Sequence, residues 1–158
     1  MDATTERLSV EREVEIAAAP ETVWEFLVDP RKTALWMGQS ASLDARPGGA
    51  WEIAVLPGNT ASGTFVEVDP PHRLVYTFGW APSADGRLDL VPPGSSTIEI
   101  ELMPSGDGTT LRFLHRDLPT PEWTESHAHG WDHYLGRLAI AAPGGDAGRD
   151  PWLDRPMT

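Results

Sequence analysis

The residues that most suggest a metal-binding or catalytic site are the histidines in the segment SHAHGWDHYLGRLAIAA, residues 126–142. His127, His129 and His133 fall within seven positions, and imidazole is a common zinc ligand. On a helix of about 100° per residue, however, His129 and His133 lie on a solvated side and His127 on the opposite, apolar side. Because a zinc site needs three or four converging ligands, and no HExxH pattern is present, this spacing predicts no metal site.

His127 belongs to one apolar stripe of the predicted helix. The other members of the stripe are Trp123, Trp131, Tyr134 and Leu138. Two interpretations stay open for His127: a core histidine bonded to a neighbour, or an imidazole that faces a cavity and contacts a ligand. Gly130 costs the helix about 1 kcal/mol relative to alanine. Such a glycine indicates that a loop or a ligand packs close to the backbone there.

The preceding chain predicts the elements that position this helix. Alternating side chains predict a half-buried strand over residues 10–17, and Pro20 begins a short helix that Asp29-Pro30 ends. A second short helix ends at Gly38. Turn sequences such as PGG, PGN and SGDG then separate six strands, predicted at residues 42–46, 50–56, 63–69, 73–80, 96–104 and 109–116. The last helix covers residues 121–142.

This order predicts an α+β domain in which a curved antiparallel sheet wraps around a long C-terminal helix, with two short helices after the first strand. We expect an N-terminal tail over residues 1–9, the domain over residues 10–142, and a flexible C-terminal tail over residues 143–158. Residues 81–95 are longer than a hairpin needs, and they are predicted to form a mobile flap.

Composition narrows the classes of partner. The 158 residues carry a formal charge of -12, which repels phosphate backbones and anionic lipids, so we expect neither a nucleic-acid nor a membrane partner. The absence of cysteine excludes disulfides and thiolate chemistry. No cofactor is indicated. The polar, acidic N-terminus is unlike a signal peptide, which predicts a cytoplasmic protein.

Strand alternation supplies a candidate lining for a cavity or a core. The side chains predicted to face the helix include Leu74, Ile53, Val55, Ile98, Ile100, Leu102 and Leu111. The candidate ligand-binding residues are Trp36, Trp51, Tyr76, Phe78, Trp80, Phe113, His115, His127, Trp131 and Tyr134. These aromatic side chains either fill a core or form a pocket for a flat apolar ligand. For His115 the open alternatives are a bond to a loop carbonyl and a polar group at the cavity.

Four motifs carry a family resemblance. They are APETVWEFLVDPRKTALWMG, GTFVEVDPPHRLVYTFGW, PPGSSTIEIEL with GDGTTLRFLHRDLP, and HAHGWDHYLGRLA, in this order over residues 10–142. On these motifs the chain resembles the SRPBCC or START-like superfamily, and within it the Activator of Hsp90 ATPase homologue (AHSA1)-like proteins. The resemblance implies a helix-grip fold whose long helix and sheet enclose an apolar cavity.

The resemblance implies several functions. The leading hypothesis is a small protein that binds a hydrophobic or aromatic molecule in the cavity, and a Trp131→Ala variant is expected to lose that binding. The alternatives are a polyketide cyclase-type enzyme or an enediyne self-sacrifice resistance protein, with an Hsp90-type chaperone cofactor as a lesser one. The sequence leaves open whether the ligand is transformed and whether the protein forms a homodimer.

Overall fold

The computed structural model describes residues 8–82, 86 and 88–155. Strand β1 (Leu8–Ile16) buries Val10 and Ile16 and exposes its glutamates, as the alternation predicts. Helix α1 (Pro20–Val28) starts at a proline, and the Asp29 side chain then accepts from the backbone N–H of Arg31 to cap α2 (Pro30–Thr33). Both short helices are confirmed, but the second ends at Thr33 and not at Gly38 as predicted.

Six further strands follow α2 and complete one antiparallel sheet. They are β2 (Ser40–Leu43), β3 (Ala50–Leu56), β4 (Asn59–Asp69), β5 (Arg73–Trp80), β6 (Ser96–Ser105) and β7 (Gly108–Leu118). The spatial order is β1-β7-β6-β5-β4-β3-β2. Register shifts interrupt three of the strand pairs, and bulges of this kind bend a sheet. The predicted α+β helix-grip architecture is confirmed.

The long helix α3 (Pro121–Ala141) lies against the inner face of this sheet. Thr120 accepts from the backbone N–H of Trp123 and so caps the first turn. The helix buries His127, Trp131, Tyr134, Leu135, Leu138 and Ala141, nearly the stripe that its periodicity predicts. The ring of Phe113 in β7 lies 4.6 Å from that of Trp131, which confirms that the predicted strand faces meet this stripe.

The segment after α3 packs back onto the helix. Trp152, in a 3₁₀ helix over Pro151–Leu153, is 3% exposed and stacks on His133 with ring centroids 3.7 Å apart. Asp150 Oδ1 lies 2.8 Å from His133 Nε2 and accepts from the backbone N–H of Trp152. Arg137 also donates to the carbonyls of Ala147 and Gly148. The predicted solvated face is therefore wrong for His133, which this segment covers, whereas His129 is exposed.

Parts of three predicted segments lie outside the described residues. These parts are residues 1–7 of the N-terminal tail, residues 83–85 and 87 of the predicted flap, and residues 156–158 of the C-terminal tail. In the described part of the flap, Val91 is fully buried and its carbonyl accepts from the backbone N–H of Trp80. The flexibility of the flap and of the C-terminal tail, like the domain limits, stays a prediction.

A Trp152→Ala variant tests how firmly the C-terminal segment holds the helix. We expect the free energy of unfolding to fall by about 3 kcal/mol, because the variant removes a buried indole and its stacking contact with His133. Urea denaturation measures the change. Ile140→Ala is the control, since Ile140 is 51% exposed on α3. A loss no larger than that of the control would show that the segment is the loose tail expected from sequence.

Candidate ligand-binding site

A cavity of about 80 Å³ lies between α3 and the sheet. Its described lining residues are Met37, Val55, Leu56, Asn59, Phe78, Trp80, Leu88, Trp123, Ser126, His127, Gly130, Trp131 and Tyr134. Most of these side chains are apolar, and five carry a benzene or indole ring. None of the described lining residues is acidic, lysine or arginine. The site therefore suits an apolar molecule without charge.

Helix α3 forms one wall of the cavity because its residues recur at helical spacing. Trp123, His127, Gly130 and Tyr134 are three or four positions apart and so lie on one side of successive turns. The opposite wall comes from the end of β5, where Phe78 and other residues of alternate parity face inward, and from β3. Consequently the site depends on the packing of α3 on the sheet.

The His127 ring has both nitrogens bonded. Its Nδ1 lies 2.7 Å from the Trp123 carbonyl oxygen, which can only accept, so Nδ1 carries the proton. Nε2 then accepts from the Trp80 indole N–H at 3.1 Å. Burial lowers the pKa of His127, partly offset by the bond to the Trp123 carbonyl. The cavity wall thus presents a neutral imidazole whose lone pair is already engaged by an indole.

His115 takes part in a second buried chain of hydrogen bonds. The Trp131 indole N–H donates to His115 Nδ1 at 3.0 Å, so the ring proton sits on Nε2. His115 Nε2 lies 2.8 Å from Ser96 Oγ, and that hydroxyl donates to the Phe78 carbonyl at 2.8 Å. Burial, with His127 nearby as a second cause, holds the pKa of His115 well below its ordinary value.

The Ser96–His115 pair does not have the arrangement of a nucleophilic dyad. A catalytic histidine takes the serine proton on an unprotonated nitrogen, and an acidic group usually accepts from its other nitrogen. In this protein an indole donates to the other nitrogen instead, which places the imidazole proton on the serine side. His115 is 0% exposed, and its role is to link α3 to the sheet.

Comparison with known families agrees with this architecture. The family described as "Activator of Hsp90 ATPase homolog 1-like protein" matches residues 17–142. The chain belongs to the AHSA1-like family. A solution structure of an AHSA1-like protein from Rhizobium etli is 43% identical, with a TM-score of 0.73 over 96% of this chain and 91% of that chain. No curated protein sequence matches.

More distant structures of similar shape show the fold alone. DynU16, from the dynemicin biosynthetic locus, is 22% identical, with a TM-score of 0.73 over 90% of this chain and 50% of that chain. The Aha1 dimer from Colwellia psychrerythraea is 16% identical, with a TM-score of 0.72 over 87% of this chain and 97% of that chain. In the described part of this AHSA1-like chain, no helix is both long and apolar enough to cross a membrane.

Half of the ten candidate residues from the sequence line the cavity of this family member. These five are Phe78, Trp80, His127, Trp131 and Tyr134. The other five pack elsewhere: Trp36 donates to the Phe26 carbonyl, Trp51 stacks on Tyr76 at 4.7 Å, and Phe113 and His115 lie behind Trp131. Among the described residues, no group of three acidic, histidine or cysteine side chains could hold a metal ion.

Several lining residues were not among the sequence candidates. Met37 and Leu88 come from segments outside the strands and helices, where periodicity gives no facing side. Leu56 is the last residue of β3, where a register shift breaks the alternation of buried and exposed side chains. Ser126 and Gly130 lie one helical turn apart beside His127, and neither has an apolar side chain that would mark it as part of the stripe. The sequence did indicate that Gly130 is unusual, because glycine is unfavourable within a helix.

The two buried histidines predict how stability depends on pH. The pKa values of His115 and His127 are lowered in the folded state. Below about pH 6.5 the unfolded chain therefore binds protons at these histidines that the folded chain does not bind. The free energy of unfolding should therefore fall with decreasing pH, by up to about 1.4 kcal/mol per pH unit for each histidine. Urea denaturation between pH 5.5 and about 7.5 measures this slope.

Variants assign that slope to residues. His127→Gln should make it shallower, whereas His72→Gln, at an exposed position, should leave it unchanged. A wild-type stability that stays constant over this range would contradict the neutral, buried state of both imidazoles.

Proposed function

We propose that this protein binds a small, neutral aromatic molecule in the cavity between α3 and the sheet. The observation that carries the proposal is an apolar cavity walled by Phe78, Trp80, Trp123 and Trp131, next to a buried imidazole whose hydrogen bonds are already made within the protein. Aromatic walls favour stacked or edge-on contact with another ring.

The volume limits the size of the ligand. About 80 Å³ is well below the roughly 300 Å³ at which typical ligand pockets begin, and also below an engineered apolar cavity of about 150 Å³ that binds benzene. Even one ring therefore requires the cavity wall to move, and we expect a molecule of no more than one or two rings. A lipid or an extended polyketide chain would require the wall to move much further.

The charge of the ligand follows from the lining. An ion moved into an apolar site without a partner is strongly unfavourable, and the described lining residues offer no charged partner. The acidic protein, with a formal charge of -12, repels an anion further. A hydroxyl is acceptable, because the Ser126 and Asn59 side chains line the cavity and make no hydrogen bond within the described chain.

The arrangement of the histidines favours binding over proton transfer. His115 is fully buried and bonded on both nitrogens. His127 lines the cavity, but the lone pair on its Nε2 already accepts from the Trp80 indole N–H. A polyketide cyclase-type role would need an imidazole that exchanges a proton with the ligand, and each of these would first have to give up an indole donor.

A matched pair of probes tests the proposed ligand chemistry. 2-Naphthol is neutral at pH 7, whereas 2-naphthoate has the same rings and a negative charge. We expect saturable 1:1 binding of 2-naphthol by isothermal titration calorimetry and binding of the carboxylate at least about tenfold weaker, a difference of ~1.4 kcal/mol. Tighter binding of the carboxylate, or no binding of either probe, would contradict the proposal.

Trp123→Ala tests the location of the site. Trp131→Ala would test the location less directly, because this variant also removes the hydrogen-bond donor to His115. Trp123 lines the cavity at an incompletely buried position, so its removal should weaken 2-naphthol binding about tenfold. Ile140→Ala, exposed on α3, should bind as the wild type does. Equal affinities for the two variants would place the binding site elsewhere.

A further inference from the structure

Two glycines interrupt the interior of α3, and the backbone explains neither. Gly130 and Gly136 both have helical conformation, without the positive φ that favours glycine elsewhere in the chain. Alanine would stabilise the helix at either position, since it loses less conformational freedom on folding.

Close packing of the protein does not explain them either. Apart from its chain neighbours and the adjacent backbone of α3, a Cβ atom built on Gly130 meets no heavy atom within 4 Å, and the same holds for Gly136. Other glycines differ sharply: a Cβ on Gly79 would fall on the backbone of Pro92, and one on Gly63 on the backbone of Thr77. At those positions the fold requires glycine, whereas in α3 an added methyl group has room.

The surroundings of the space beside each glycine distinguish Gly130 from Gly136. Gly136 is exposed on the outer side of the helix. Gly130 lines the cavity, within one turn of His127, Trp131 and Tyr134. The missing side chain at position 130 therefore leaves space inside a cavity of only about 80 Å³, where one methyl group matters. At position 136 the space is bulk solvent.

We infer that Gly130 sets the size of the aromatic ligand that the cavity accepts. The glycine lets a flat ring approach the helix backbone where any side chain would hold it off. This inference rests on the proposed function, and it assigns to one residue the choice between a one-ring and a two-ring ligand.

The matched variants Gly130→Ala and Gly136→Ala test the inference. Both should raise Tm by about 2–4 °C, because each replaces an unstrained helical glycine. For 2-naphthol, titration calorimetry should give at least a tenfold loss of affinity with Gly130→Ala and a change within twofold with Gly136→Ala. Phenol, measured by competition, should lose less than 2-naphthol with Gly130→Ala, since one ring needs less depth.

Each contrary result has a distinct meaning. If the wild type and Gly130→Ala bind 2-naphthol equally, the cavity binds ligands but Gly130 does not select them, and the inference is overturned. If Gly130→Ala lowers Tm, the glycine makes room for protein atoms, which overturns it as well. If the wild type binds neither phenol nor 2-naphthol, the proposed function itself fails.

Discussion

A chain of buried hydrogen bonds fixes the long helix on the sheet. It runs from the Trp131 indole on α3 through His115 on β7 and Ser96 on β6 to the carbonyl of Phe78 on β5. Each of these polar groups would be costly to bury alone, so the helix can dock only where all three bonds form together. The chain therefore sets the register of α3, and with it the relative position of two cavity walls, Trp131 and Phe78.

The outer face of α3 is held by a second set of contacts. Trp152 stacks on His133 and lies with its ring edge toward Tyr134, whose own ring lines the cavity. Burial, and secondarily the nearby Asp150, raises the pKa of the Tyr134 phenol. Tyr134 thus has the cavity on one side and the C-terminal segment on the other, so the packing of that segment supports the cavity wall from behind.

Local patterns in the sequence predicted most of the fold. β3 and β5 were predicted residue for residue, because turn residues flank a clear alternation of buried and exposed side chains. β2 was misplaced, since its sequence SASL is small and polar and carries little alternation. Helical periodicity separated His127 from His129 and His133, but it could not show that Trp152 covers His133, because a Gly- and Pro-rich segment without periodicity lies between them.

The choice between a filled core and a pocket was beyond periodicity, since parity gives the direction of a side chain and not the space it leaves. The structure contains both arrangements side by side on one sheet. Around Tyr76 the rings fill the space, because Trp51 stacks on Tyr76 and Phe65 meets it edge-on. Further along β5, the rings of Phe78, Trp80 and Trp131 pack together and line the cavity, where Gly130 contributes no side chain. A core of rigid rings closes where the rings stack, and it stays open where a glycine faces them.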